Sequence, residues 1–352
     1  MAPEPLLSTR AQRAFIGTKA IIVLVMVSIT FKFVEEHVDL TIPRYKTLPC
    51  YLALFILAEI FEMFMALDAL RLRNVIQLIG ILSFHAAMIV MAALQIHETH
   101  TALYEQPNST SYYNPYVNGD GPGTLWRKIE PFLVVTPIII ALSWVCLVFL
   151  FRELYHEFGW AIFHVVGANP VMKTMYQYYQ IMICLLKFDF FAFIGVTMQL
   201  LIVVLIESTA EFGLTIAAIP VTLVLLIMAG AAVQREIKSI MSISLVLMLA
   251  SQVYFIYKLV RFYAPSSEDQ YITTRATLTV FTIVASLLLF ATFGVGVRCF
   301  ADFDKGLQSS KMHGVTWGHK YLSSLLDPPG EMTDRKSSYT GGAPVQPRIS
   351  IE

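Results

Sequence analysis

Charge is scarce in this chain. Asp, Glu, Lys and Arg make up 14% of its 352 residues, where an ordinary soluble domain carries about 25%. With 56% hydrophobic residues and a mean hydropathy of +0.64, there is too little polar surface to meet water, so lipid must be the solvent for most of the chain. Acidic and basic residues balance at 25 each. That removes the basic excess a nucleic-acid partner needs, and no nucleic-acid-binding motif appears. Cysteine is equally sparse. Cys50, Cys146, Cys184 and Cys299 are far apart, fit no metal-ligand spacing and read as small buried hydrophobes. A zincin helix, a nucleophile elbow and a paired-Asp or His-rich intramembrane motif are all missing. His97 and His100 are three apart, not four, and have no third ligand nearby. The expectation is a chain that is not an enzyme and takes no cofactor and no metal.

What the sequence does have is long apolar runs. A spanning helix needs about 20 apolar residues, and eight runs qualify: roughly 14–34, 49–70, 74–96, 131–151, 178–206, 212–233, 238–260 and 276–299. The expected fold is all-α, a polytopic transmembrane helical bundle. The first run follows Arg10 and Arg13 and is too long for a cleaved leader, so it reads as a retained first span. The organisation expected is a cytosolic N-terminus at 1–13, a bundle over 14–299 and a mostly disordered cytosolic tail over 300–352, rich in Ser, Gly and Pro past its start.

Eight spans place both termini on one side of the membrane. With that side cytosolic, the inner loops hold Arg71, Arg73, Arg152, Lys173, Arg235 and Lys238, in keeping with the positive-inside rule. Arg44, Lys46 and Arg275 run against it. The same orientation puts the long polar loop 97–130 in the lumen, where Asn108-Ser109-Thr110 is an acceptor for N-glycosylation at Asn108. Residues 152–175 form a cytosolic segment. Its first part, 152–168, alternates charge with large apolar groups and has two readings: a helix lying on the membrane surface, or an extension of the fourth span. Pro170 then opens the next helix. Pro137 and Pro220 fall inside spans, and Gly230-Ala231-Ala232 and Gly294-x-Gly296 suit close helix packing.

The candidate functional residues are the ionisable groups inside these runs: Glu59, Glu62, His85, Lys187 and Asp189. Such groups are costly in lipid and mark a pathway, a ligand site or a buried ion pair. At 1.5 Å per residue, Glu62 and Lys187 each lie about 9 Å, and Glu59 and Asp189 about 12–13 Å, inside the cytosolic ends of their spans; His85 lies about 16 Å in. Glu59 and Glu62 share a helix face. Lys187 and Asp189 are two apart and point to opposite sides. The economical arrangement sets Lys187 against Glu62 or Glu59. Asp189 then faces His85, Gln77, Gln252 or Tyr254, and Asp68 meets water or headgroups. Three readings stand: a structural ion pair, a hydrated binding cavity, and a lysine snorkelling to the interface.

One stretch carries a resemblance. Gly167-Ala168-Asn169-Pro170, then Met175-Tyr176, Tyr179-Gln180 and Cys184-Leu185-Leu186-Lys187-Phe188-Asp189-Phe190-Phe191, resembles an uncharacterised fungal family of multi-pass Golgi apparatus membrane proteins. Arg298-Cys299-Phe300, Asp304-Lys305-Gly306-Leu307 and the ending Arg348-Ile349-Ser350-Ile351-Glu352 look similar too. The resemblance implies a Golgi or neighbouring endomembrane location and brings no catalytic residues with it. Two functions follow as expectations. One is a small-solute, ion or proton-coupled carrier that uses the buried charges of spans two, three and five. The other is a non-catalytic scaffold, sorting factor or receptor-like protein whose charges form a clasp. The bilayer is the expected partner of either; a small-molecule or ion ligand belongs to the first, and cytosolic proteins that bind the tail belong to the second.

Overall fold

A computed structural model describes residues 10–39, 45, 47–72, 74–104, 114–119, 121–166, 170–204, 209–264 and 275–305. Among them the chain is all-α. In lipid every backbone N–H and C=O must be paired within the segment, and a helix does this from local sequence alone. The long helices are α1 (Arg10–His37), α2 (Thr47–Leu72) and α3 (Val75–Tyr104). After the one-turn α4 (Pro115–Asn118) come α5 (Leu125–Val166), α6 (Pro170–Val204), α7 (Thr209–Arg235), α8 (Lys238–Phe262) and α9 (Arg275–Asp302). Seven of them are long and apolar enough to cross a membrane; α1 lies outside that set, because its described side chains begin at Ala20 and include Lys32, Glu35 and Glu36. The first expected span nevertheless falls within α1, whose 28 residues measure about 42 Å.

The turns have local causes. Asn74 caps α3, its Oδ1 accepting from the N–H groups of Ile76 (2.9 Å) and Gln77 (3.2 Å), while its own N–H closes α2 on Ala69 O at 3.2 Å. Between α7 and α8, Glu236 takes the left-handed conformation (φ 55°) and Ile237 N–H returns to Ala232 O at 3.1 Å. That is a Schellman ending built without glycine. Pro170 takes the first position of α6. Residues 152–166 continue α5 without a break, the second of the two readings above; no proline follows Pro137 to stop it.

The helices pack as two groups that share α6. An apolar core joins α1, α2, α3 and α5 to one side of α6, and a second core joins α7, α8 and α9 to the other. At the first junction Phe61 of α2 and Phe84 of α3 meet Phe188 and Phe191 of α6, with centroid distances of 4.8–5.9 Å. Gly80 lets α3 come this close: a Cβ there would lie 2.7 Å from the Phe188 ring. Gly296 serves the same purpose in α9, where a Cβ would meet Leu245 and Met241 at 3.0 Å. Gly294 has open space, so only half of that small-residue pair is used for packing.

Helix ends sort consistently between the two ends of the bundle. Val34 and Val38 at the end of α1 pack with Leu48, Leu103 and Leu125, from the start of α2, the end of α3 and the start of α5. At that same end Tyr51 bonds Thr277 across α2 and α9. At the other end, Arg298 near the end of α9 lies over the Tyr178 ring in the first turns of α6 at 5.6 Å, and Lys238 at the start of α8 pairs with Asp304 at 2.6 Å. The start of α1 and the end of α9 therefore share one end of the bundle. Asn108, Gly167-Ala168-Asn169 and the tail beyond Lys305 lie outside the described residues.

Candidate functional site

The five expected residues do not form one cluster. They separate into ties between different helices. On α2 the arc carrying Glu59 and Glu62 faces away from α6, while Phe61 and, two turns on, Asp68 face towards it. That difference corrects the expected pairing. Lys187 bonds Asp68, not Glu59 or Glu62, and also donates to Gln77 Oε1 at 3.0 Å. Gln77 donates in turn to Asp68 Oδ2 (3.1 Å) and Met65 O (3.0 Å). The tie joins α2, α3 and α6 beside the Asn74 cap. Its ion pair is partly open, with side chains 20% and 23% exposed. Asp68, expected at water, is half enclosed because the flexible lysine stem reaches back to the helix ends.

Glu62 belongs to a second tie. Its Oε1 lies 2.7 Å from His85 Nδ1, and His85 Nε2 lies 3.0 Å from Ile140 O and 2.9 Å from Ser143 Oγ. Ser143 itself donates to Ile140 O at 2.8 Å. A bare Nε2 would face the Ile140 carbonyl lone pairs with no proton between them, so Nε2 carries hydrogen. The proton between Nδ1 and Glu62 is then shared by a pair that is neutral as a whole wherever that proton sits. His85 is 0% exposed, and the tie joins α2, α3 and α5. Trp144 adds to it, donating to Leu82 O at 3.0 Å. Glu59 is buried one turn before Glu62.

Asp189 points the other way from Lys187, as the two-residue spacing requires, and reaches none of its four expected neighbours. Its Oδ2 lies 2.5 Å from Thr292 Oγ1 on α9. Gln252 instead bonds Ser286. Sequence reasoning also passes over Lys258, which is fully buried in α8 with its ammonium 5.9 Å from the Tyr254 ring centre. Near the end of an apolar run it looks like an interfacial lysine, and only its burial marks it out.

Two cavities adjoin the bundle. One, of about 280 Å³, lies among α6, α7, α8 and α9 and has Asp189 in its wall. The other, of about 510 Å³, lies among α2, α6 and α7 and has Lys187 and Gln234 beside a mostly apolar lining. Glu59, Glu62 and His85 line neither. Among the described residues no group of three or more His, Cys, Asp or Glu is placed to hold a metal.

The chain is 29% identical over 274 residues to the UPF0658 Golgi apparatus membrane protein of Schizosaccharomyces pombe, covering 74% of this chain and 78% of that one. The two are relatives. The similarity supports the fungal Golgi-membrane family expected from the Lys187–Asp189 stretch, and with the helices above it makes this a multi-pass endomembrane protein with charged and polar groups inside its bundle. No family model and no solved structure matches the chain.

Proposed function

We propose that this is a non-catalytic scaffold or sorting protein of the Golgi membrane, whose polar ties hold the bundle together. One observation supports this above the rest. His85 has both ring nitrogens engaged by protein groups, has no exposed surface and lies off both cavities. A carrier that used this pair would need water or solute to reach it. The Lys187–Asp68 pair is partly exposed and lies beside the second cavity, but Gln77 bridges both partners, so its charges are already matched within the bundle.

In this reading both termini face the cytosol. The shared end of α1 and α9 supports it, as does the placing of Lys173, Arg235 and Lys238 at the ends of α6, α7 and α8 and of Arg152 where the apolar part of α5 stops. Asn108 then lies in the lumen, and its glycan is an endoglycosidase-sensitive gel shift that Asn108→Gln removes. Partners are recruited from the cytosolic side by the tail.

The test of the clasp is flux. Purified protein is placed in liposomes loaded with a pH-sensitive dye, and a pH step is applied. Wild type and Glu62→Gln should both match empty liposomes. A proton flux that wild type shows and Glu62→Gln lacks would overturn the clasp and restore the carrier.

A further inference from the structure

We infer that the cavity among α6, α7, α8 and α9 is a binding site for a lipophilic amine that enters sideways from the membrane. Asp189 on α6 is one of the residues around this cavity. It is 6% exposed, its Oδ2 meets Thr292, and its Oδ1 is buried with no hydrogen-bond partner among the described residues. A buried carboxylate oxygen left unmatched is costly, and native folds seldom keep one without a use. This oxygen belongs to a residue in the wall of a cavity of about 280 Å³.

The cavity has a mouth. Small residues leave the space between α7 and α8 unfilled: Ala217 and Ala218 on one, Ala250 and Ser251 on the other. Ala217, Val221 and Ala250 are exposed on the outer surface, so the opening faces lipid. Pro220 sits at this level of α7, where its ring removes one backbone N–H from the helix ladder. The occupant must therefore partition into the bilayer. At about 30 Å³ for each water-sized group, there is room for a body of about nine such groups. That is a chain segment or a small ring system, not a whole two-chain lipid.

The chemistry of the wall selects the head. Asp189 supplies an acceptor, and a charge-assisted bond from an ammonium is about twice as strong as one from a neutral hydroxyl. Phe193, Tyr254 and Phe255 line the same space, and aromatic faces attract a cation. Thr222, Ser251 and Tyr254 add hydroxyls for a second polar group on the ligand. Among the described residues no Lys or Arg lines the cavity; Lys258 lies over the Tyr254 ring but forms no part of the wall. An amine head on a single apolar chain satisfies each of these features. The site is independent of the Glu62–His85 and Lys187–Asp68 ties, so it stands whether or not those are structural.

Photolabelling tests it. Full-length protein in phosphatidylcholine nanodiscs is irradiated with a diazirine-bearing decylamine, or with the matching decanol, and the adducts are mapped by mass spectrometry. The amine should label residues 217–226 and 247–255, with about tenfold more adduct than the alcohol. Asp189→Asn should remove that preference. Ala250→Phe, which keeps the carboxylate and fills the mouth, should abolish labelling of both segments. Equal labelling by amine and alcohol would overturn the inference. So would an amine preference that survives in Asp189→Asn, or adducts spread evenly over the lipid-facing surface. If Asp189→Asn does not fold, Ala250→Phe decides alone: undiminished labelling in it refutes the site.

Discussion

Glu62 Oε1 stands 2.7 Å from His85 Nδ1 inside the bundle, and the far nitrogen of the same ring is held by Ile140 O and Ser143 Oγ. Each partner compensates the other, so removing one leaves a buried polar group unmatched. His85→Phe should cost about 3 kcal/mol or more. Adding Glu62→Leu to it should recover most of that loss, because an apolar pair needs no compensation. Thermal unfolding of the single variants and the double variant in detergent checks this. A double variant no more stable than His85→Phe would show that the pair is not coupled.

Lys187 is the more conspicuous residue in the sequence and should matter less to stability. Its partner Asp68 is 23% exposed and keeps a hydrogen bond from Gln77, so an orphaned Asp68 can still be solvated at the helix ends. Lys187→Leu should cost about 1 kcal/mol, in the range of partly exposed pairs. Measured beside His85→Phe, its melting temperature should fall less. The reverse order would mean that Lys187 is the main clasp.

These two cases show how far the sequence is legible. The long helices follow from apolar runs, since lipid forces every such run to pair its own backbone. The burial of Glu59, Glu62, His85 and Asp189 follows from their depth within those runs. Partnership does not follow. Glu62 and Asp68 lie on one helix but face different neighbours, and choosing between them requires knowing that Phe61 meets Phe188 and Phe191. Ser143 and Thr292 give no signal, because a hydroxyl in an apolar helix ordinarily bonds its own backbone, as both also do here. Lys258 looks interfacial by position and is buried in fact. The cavity beside Asp189 depends on small residues from separate helices, which no single run reveals.

Asn74 links the turn chemistry to the Lys187 tie. Its side chain caps α3 through Ile76 and Gln77, and Gln77 is the residue that holds both Asp68 and Lys187. Asn74→Ala should cost about 1 kcal/mol, as loss of a helix cap does. Hydrogen exchange should speed at the Ile76 and Gln77 amides while the amides of α8 stay unchanged. Unaltered exchange at both positions would count against the cap.

Glycine makes opposite predictions at two sites. At Gly80 a new Cβ would come within 2.7 Å of the Phe188 ring and 3.1 Å of Cys184 Sγ. Phe188 has little room to yield, because it is packed against Phe61 and Phe84 at 5.5 Å and 5.9 Å. Gly80→Ala should therefore destabilise by about 1–3 kcal/mol, as overpacking does. At Gly294 a Cβ meets nothing within 4 Å. Gly294→Ala removes backbone freedom from the unfolded chain and should stabilise by about 0.5–1 kcal/mol. The two variants carry the same chemical change and the same helix propensity, so only the α3–α6 contact separates them. Melting temperatures that move in opposite directions would establish that contact. If both rose together, α3 and α6 would not approach as closely as the Phe188 ring requires.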